Sequence, residues 1–272
     1  MSVDKYLNSG IKDLLMKFPK IGALLDEYNI YCNECSRGNC LLKDALEIHN
    51  LNKEDEKILV NKITELIYPE KITPIPNARS IIKNSKDIIC SPPIKKLLNE
   101  HKLIKRWLAL IPTIIESVDN NREEILQLLR DSSDFTRSYV DQYHQVREDD
   151  NLFTVFDGGL EILEVMHDEH EEIRFYTQIL LTAITDNDKT AIKESLNTYR
   201  VVLSEHIKKE EDILYPWIER SLTVTQIKDL NSEFIELDIN SPNISENYRD
   251  VIIKLEKQLK NKIGNNSLNV YV

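Results

Sequence analysis

The chain is expected to be all-α: an antiparallel up-down four-helix bundle with a small helical N-terminal module and extra C-terminal helices. Three observations carry that expectation. Only 6 Gly and 9 Pro occur in 272 residues, amid abundant Leu, Ile, Lys and Glu, which favour helix. From Pro92 onward, apolar residues recur every three or four positions over four long stretches separated by short polar breaks. Finally, His101, His144, His170 and His206 each take an inward place on the apolar stripe of a different stretch.

Residues 1–70 read as a small cysteine-containing module of short helices. Ile11 to Phe18 is apolar at helical spacing, Lys20 to Tyr28 continues after Pro19, and Leu41 to Ile48 follows three cysteines. Lys53 to Ile67 is a further amphipathic helix with a polar start at Asn52. Residues 71–91 form a linker, opened by a proline-rich run without helical period.

Residues 92–222 hold the bundle. Ile94, Leu97, His101, Ile104, Leu108, Ile111 and Ile115 make the first stripe; Pro112 falls inside it, where a proline removes a helical hydrogen bond. The second helix is expected from about Asn121 to Phe156, the third from about Leu160 to Ile184, and the fourth from about Thr190 to Leu222. Asp157-Gly-Gly and Thr185-Asp-Asn-Asp break them. Counted from those breaks at about 1.5 Å per residue, Glu148, His170 and His206 come to one depth. His101 sits nearer its turn than His144, by about one to two helical turns. Residues 223–272 form a C-terminal extension with amphipathic segments at Val224 to Leu237 and Tyr248 to Ile263.

A net charge of -11 argues against nucleic acid or an anionic membrane as partner. No apolar run approaches the length of a membrane span, and Met1-Ser-Val-Asp is not a signal peptide, so a cytoplasmic protein is expected.

Buried imidazoles and carboxylates are costly unless paired or metal-bound. Two of the four histidines carry a glutamate one turn on, as His144-x-x-x-Glu148 and His206-x-x-x-Glu210, which puts both groups on one helix face. A single such histidine is more often a satisfied core or surface residue. Four on inward stripes, two with their glutamates, make a two-metal site the simplest reading, with a mixed nitrogen and oxygen set that suits iron, manganese, zinc or cobalt. Glu169 and Glu211 adjoin the set as candidates to orient an imidazole. His167 lies beside its stripe and His49 outside the bundle, so both read as ordinary surface residues.

Cys32, Cys35 and Cys40 are close enough to hold a metal or an iron–sulfur cluster, with Cys90 or an outside ligand as the fourth. They equally suit a redox-active Cys-x-x-Cys disulfide, or three ordinary thiols in a loop.

The segments from His144 to Phe153 and from His206 to Pro216 resemble the hemerythrin-type cation-binding motifs, and Met166-His-Asp-Glu-His170 resembles the matching third-helix motif. Met166 stands where oxygen-carrying hemerythrins have a further histidine, and the helix-four carboxylate follows its histidine by four residues rather than five. In both respects the chain is similar to the di-iron proteins of the iron–sulfur cluster repair (RIC) family. The run from Phe18 to Cys32 also resembles that family's short N-terminal domain, although the family has adjacent cysteines there. The resemblance implies two non-haem iron ions, bridged by oxo and carboxylate groups and held by His101, His144, Glu148, His170, His206 and Glu210. It implies a role in nitrosative or oxidative stress, either repairing iron–sulfur clusters or reducing nitric oxide as an oxidoreductase. The partners would be nitric oxide, oxygen or peroxide, with an electron donor or a damaged iron–sulfur protein; a homodimer stays open. The alternative is a hemerythrin-like oxygen or nitric oxide sensor, or an iron store, without turnover.

Overall fold

The structure, a computed structural model, describes residues 4–28, 30, 41–49, 51–68, 90–119, 123–156 and 161–263. Cys32, Cys35 and Cys40 and nearly all of the expected linker lie outside these residues. The chain is all-α; among the described residues the one extended pairing is an isolated bridge between Gly10 and Leu41. It divides into two compact units. One comprises Met1–Ile89, Gly158–Val165 and Ile213–Ser221, the other Cys90–Asp157, Met166–Asp212 and Leu222–Val272.

The first unit contains α1 (Asp4–Leu7), α2 (Ile11–Lys17), α3 (Lys20–Asp26), α4 (Leu42–Ile48) and α5 (Lys53–Ile67). Pro19 stands at the start of α3, where its missing N–H costs no helical bond. The Asn52 side chain accepts from the backbone N–H groups of Glu54 (3.1 Å) and Asp55 (2.8 Å), and acids fill the first turn of α5, which complements the helix dipole. Ile11, Leu14, Ile21, Leu25, Leu42, Leu46, Leu59 and Ile63 form its core.

In the second unit, α6 (Pro92–Ser117) starts on two prolines and continues through Pro112 as one helix. The next helix, α7 (residues 123–155), is α-helical over Glu123–Asp134, π-helical over Phe135–His144 and Arg147–Leu152, and ends in a 3-10 turn. Then come α8 (Glu161–Thr185), which lies in this unit from Met166 onward, and α9, which lies in it up to Asp212; α9 is α-helical over Lys189–Lys209, passes through a π turn at Glu210–Leu214 and resumes over Tyr215–Ser221. Asn187 closes α8 in the left-handed region (φ 54), and Asp188 caps α9 by accepting from Thr190 (3.1 Å) and Ala191 (3.0 Å). Three residues, Asp186, Asn187 and Asp188, thus reverse the chain. A Thr223–Gln226 capping box opens α10 (Val224–Asn240), and α11 (Ile244–Ile263) follows.

The core of this unit runs between α6, α7, α8 and α9, and Ile252, Leu255 and Leu259 of α11 extend it. At its centre the Trp107 ring meets Phe135 at 5.6 Å and Tyr199 at 5.2 Å, edge-on to the latter. No helix among the described residues is long and apolar enough to cross a membrane.

Candidate metal centre

Each of the four histidines is placed by its helix's apolar stripe, which turns it toward the bundle axis. His101 on α6, His144 on α7, His170 on α8 and His206 on α9 are at most 2% exposed, and Glu148 and Glu210 are fully buried. All four histidines direct Nε2 inward. The Nε2 atoms of His101 and His144 are 3.0 Å apart, and those of His170 and His206 are 2.9 Å apart. Glu148 Oε2 lies 3.4 Å from His144 and 3.5 Å from His170. Glu210 reaches His101 (3.2 Å) with one oxygen and His206 (3.0 Å) and His170 (3.8 Å) with the other. Two groupings of donor atoms result, His101, His144, Glu148 and Glu210, and Glu148, His170, His206 and Glu210, the atoms of each within 4.8 Å of one another. Both carboxylates belong to both groupings, as bridging ligands would.

The misfit in level expected for His101 is absent because α7 is not uniformly α-helical. A π turn closes from i to i+5, so it takes in one more residue than an α turn. The ten π-helical residues Phe135–His144 therefore draw His144 back toward the loop that joins α6 to α7 and bring it level with His101. Glu148 and Glu210 lie in π segments as well.

Behind the imidazoles stands a closed ring of carboxylates. Glu100 of α6 faces His144 Nδ1 of α7 at 2.9 Å, and Asp149 of α7 faces His170 Nδ1 of α8 at 2.7 Å. Glu169 of α8 faces His206 Nδ1 of α9 at 3.0 Å, and Glu211 of α9 returns to His101 Nδ1 of α6 at 3.0 Å. Each helix supports the next helix's histidine. Every one of these carboxylates also meets a cation from the helix it serves: Arg147 for Glu100 (3.4 Å), Arg174 for Asp149 (3.1 Å), Lys209 for Glu169, and Lys105 for Glu211 (2.5 Å). The Phe153 ring lies nearly parallel to His170 at 6.0 Å. His167, the surface residue expected, is 46% exposed, yet its Nδ1 also reaches Asp149 at 2.9 Å.

This arrangement fixes the protonation pattern. An ionised carboxylate only accepts, so the Nδ1 that faces it carries its hydrogen, and an imidazole in its neutral form then turns an Nε2 lone pair inward. Two such lone pairs about 3 Å apart repel one another unless a proton or a metal ion joins them. Burial opposes charging of His101, but Glu210 and Glu211 outweigh it and hold its pKa up at about 9. Against the same burial, Asp149, Glu148 and Glu210 raise His170, and Glu210 and Glu169 raise His206. Burial pushes Glu210 up, yet His206, His101 and His170 hold it well below the usual carboxylate range. Neither Glu210 oxygen receives a well-formed hydrogen bond among the described residues. Anionic oxygens buried in this way are what a bound cation satisfies. The donor set fits metal.

Glu169 and Glu211, singled out beside the ligand positions, do contact imidazoles, each on a neighbouring helix. Sequence reasoning missed Glu100, Asp149 and the four cations, although a signal was present. Glu100-His101-x-x-x-Lys105 on α6 is repeated as Glu169-His170-x-x-x-Arg174 on α8. His144-x-x-Arg147-Glu148-Asp149 on α7 is repeated as His206-x-x-Lys209-Glu210-Glu211 on α9. The two halves of the site are therefore near-equivalent. Cys90 is half-buried just ahead of α6 and belongs to neither grouping.

Comparison with curated proteins and with solved structures found no match. Residues 92–218, which carry all six inward-facing ligand candidates, match the family model of the hemerythrin HHE cation-binding domain.

Proposed function

We propose that the chain is a non-haem di-iron protein acting against nitrosative or oxidative stress, by reducing nitric oxide, by repairing iron–sulfur clusters, or by both. One observation carries the reading: two imidazole pairs face each other across Glu148 and Glu210, and both carboxylates reach both pairs. His101 and His144 would hold one ion, His170 and His206 the other, with Glu148 and Glu210 between them. When bound, two ferrous ions supply two electrons, the number that couples two molecules of nitric oxide with two protons to nitrous oxide and water.

The protein's own contribution is rigidity and charge. The four outer carboxylates hold each imidazole in one tautomer and orientation and make it a stronger donor. Asp149, Glu169 and Glu211 are kept anionic against burial, the first by His170 and Arg174, the second by His206 and Lys209, the third by His101 and Lys105. Full burial of the ligand set keeps bulk water from the reacting groups. The cysteines at Cys32, Cys35 and Cys40 would relay electrons or receive iron, as a redox pair or an iron–sulfur site. An uncharged diatomic suits such an enclosed interior, and the donor of electrons would be a separate protein.

The test is anaerobic turnover. Iron-loaded protein mixed with nitric oxide and a reductant is expected to form nitrous oxide, and Glu210→Ala is expected to abolish that. Tight binding of nitric oxide without nitrous oxide would contradict the enzymatic reading and favour a sensor.

A further inference from the structure

The two halves of the site are near-equivalent in sequence, but the structure treats their cations differently. Lys209, which serves the His206 side, is 18% exposed, whereas Arg147, its counterpart on the His144 side, is fully buried. Arg147 Nη1 donates to the Tyr143 carbonyl (3.0 Å) and lies 3.4 Å from Glu100. Its Nη2 donates to Asp238 of α10 at 2.5 Å. The guanidinium sits 3.6 Å from the Tyr143 ring centre and 5.7 Å from that of Phe234, also on α10. Asp238 in turn accepts from the Tyr143 hydroxyl (2.9 Å) and from Lys96 (2.6 Å).

Asp238 is 38% exposed, so its ion pair with the buried Arg147 is screened on one side and adds little stability by itself. The arginine fork does what no apolar residue does: it holds one cation between two carboxylates, here by a hydrogen bond to Asp238 and a 3.4 Å ion contact to Glu100. One of those carboxylates is Glu100, the acceptor for His144 Nδ1. The other lies on α10, which begins beyond the stretch that matches the family model.

We infer that Asp238 is a positioning residue for the metal position between His101 and His144: it anchors Arg147, which holds Glu100 against His144. This inference rests on the two-metal reading. Asp238 makes the C-terminal extension part of the metal centre, and it acts on one position only. The position between His170 and His206 has its own supports, Asp149 with Arg174 and Glu169 with Lys209. The two ions are therefore unequal although their ligands are nearly repeated.

The experiment loads full-length wild type and Asp238→Asn with ferrous or cobaltous ion without air, then follows stoichiometry and release to a chelator. Wild type is expected to hold two ions. In Asp238→Asn, one ion is expected to bind roughly tenfold to a hundredfold more weakly while the other is unchanged. Arg147→Lys is expected to give the same one-sided loss, the double variant no more than either alone, and Asp238→Glu wild-type behaviour. In the metal-free chain, nitrogen-15 imidazole spectra of the Asn variant are expected to change at His144 and not at His206. Equal weakening of both ions, or of neither, would overturn the role of Asp238 alone. Wild type that takes up fewer than two ions would overturn the two-metal reading itself.

Discussion

Asp141 on α7 is 8% exposed, and burial pushes its carboxyl up to about 7 against the opposing influence of Thr177, Arg174 and His170. A carboxyl raised on folding stabilises the native state while protonated. That contribution is complete below its unfolded value of about 4 and fades as pH rises to 7 and beyond. Asp141→Asn is thus expected to melt with the wild type near pH 4 and above it at pH 8, by up to about 4 kcal/mol; a variant less stable at pH 8 would contradict this. For the outer ring, Glu169→Gln leaves His206 Nδ1 a weaker acceptor and is expected to cost roughly tenfold to a hundredfold in metal affinity, measured by competition with a chelator. The inward histidines were legible because a polar group on an apolar stripe stands out in one sequence. Of their outer partners, Glu169 and Glu211 were legible as neighbours of the ligand positions, whereas Glu100 and Asp149 were not; none revealed which histidine it supports, because each serves a different helix and helix rotation decides which.

Among the elements, caps and breaks were the most legible. Asn52 opens α5 at the expected place, since a side-chain acceptor ahead of an amphipathic run has few alternatives. Asp188, expected only as part of a break, caps α9 in the same way, and Asp188→Ala is expected to cost about 1 kcal/mol, seen as a drop of about 2–4 °C in the melting temperature. Two expected ends were long by one or two residues: α2 stops at Lys17 rather than Phe18, and α3 at Asp26 rather than Tyr28. The π segments of α7 and α9 were not legible at all. Apolar spacing reports which face is inward, and an extra residue in one turn leaves that spacing within its ordinary scatter. The consequence was the misplaced level of His101. Deleting the half-buried Ser138 should return one π turn to α-helical register. Circular dichroism is expected to show helix retained, while metal binding falls because His144 leaves the axis.

For the whole molecule, the all-α fold, the stretch that matches the hemerythrin HHE cation-binding model and the buried His and Glu groups all support the proposed reading of a helical scaffold that holds metal ions. Half of the inward donors are repeated from α6 and α7 to α8 and α9, so the centre is two similar half-sites closed on each other. The C-terminal extension does more than cover the bundle, since α11 enters the core and α10 reaches the ring of carboxylates. The central claim is a two-ion centre, and the direct measurement is the metal content of full-length protein purified without air. Two ions per folded chain, lost together with Glu148→Ala and Glu210→Ala, is the result this account predicts. A chain that is fully helical, loaded with ferrous ion, and still holds none would contradict it.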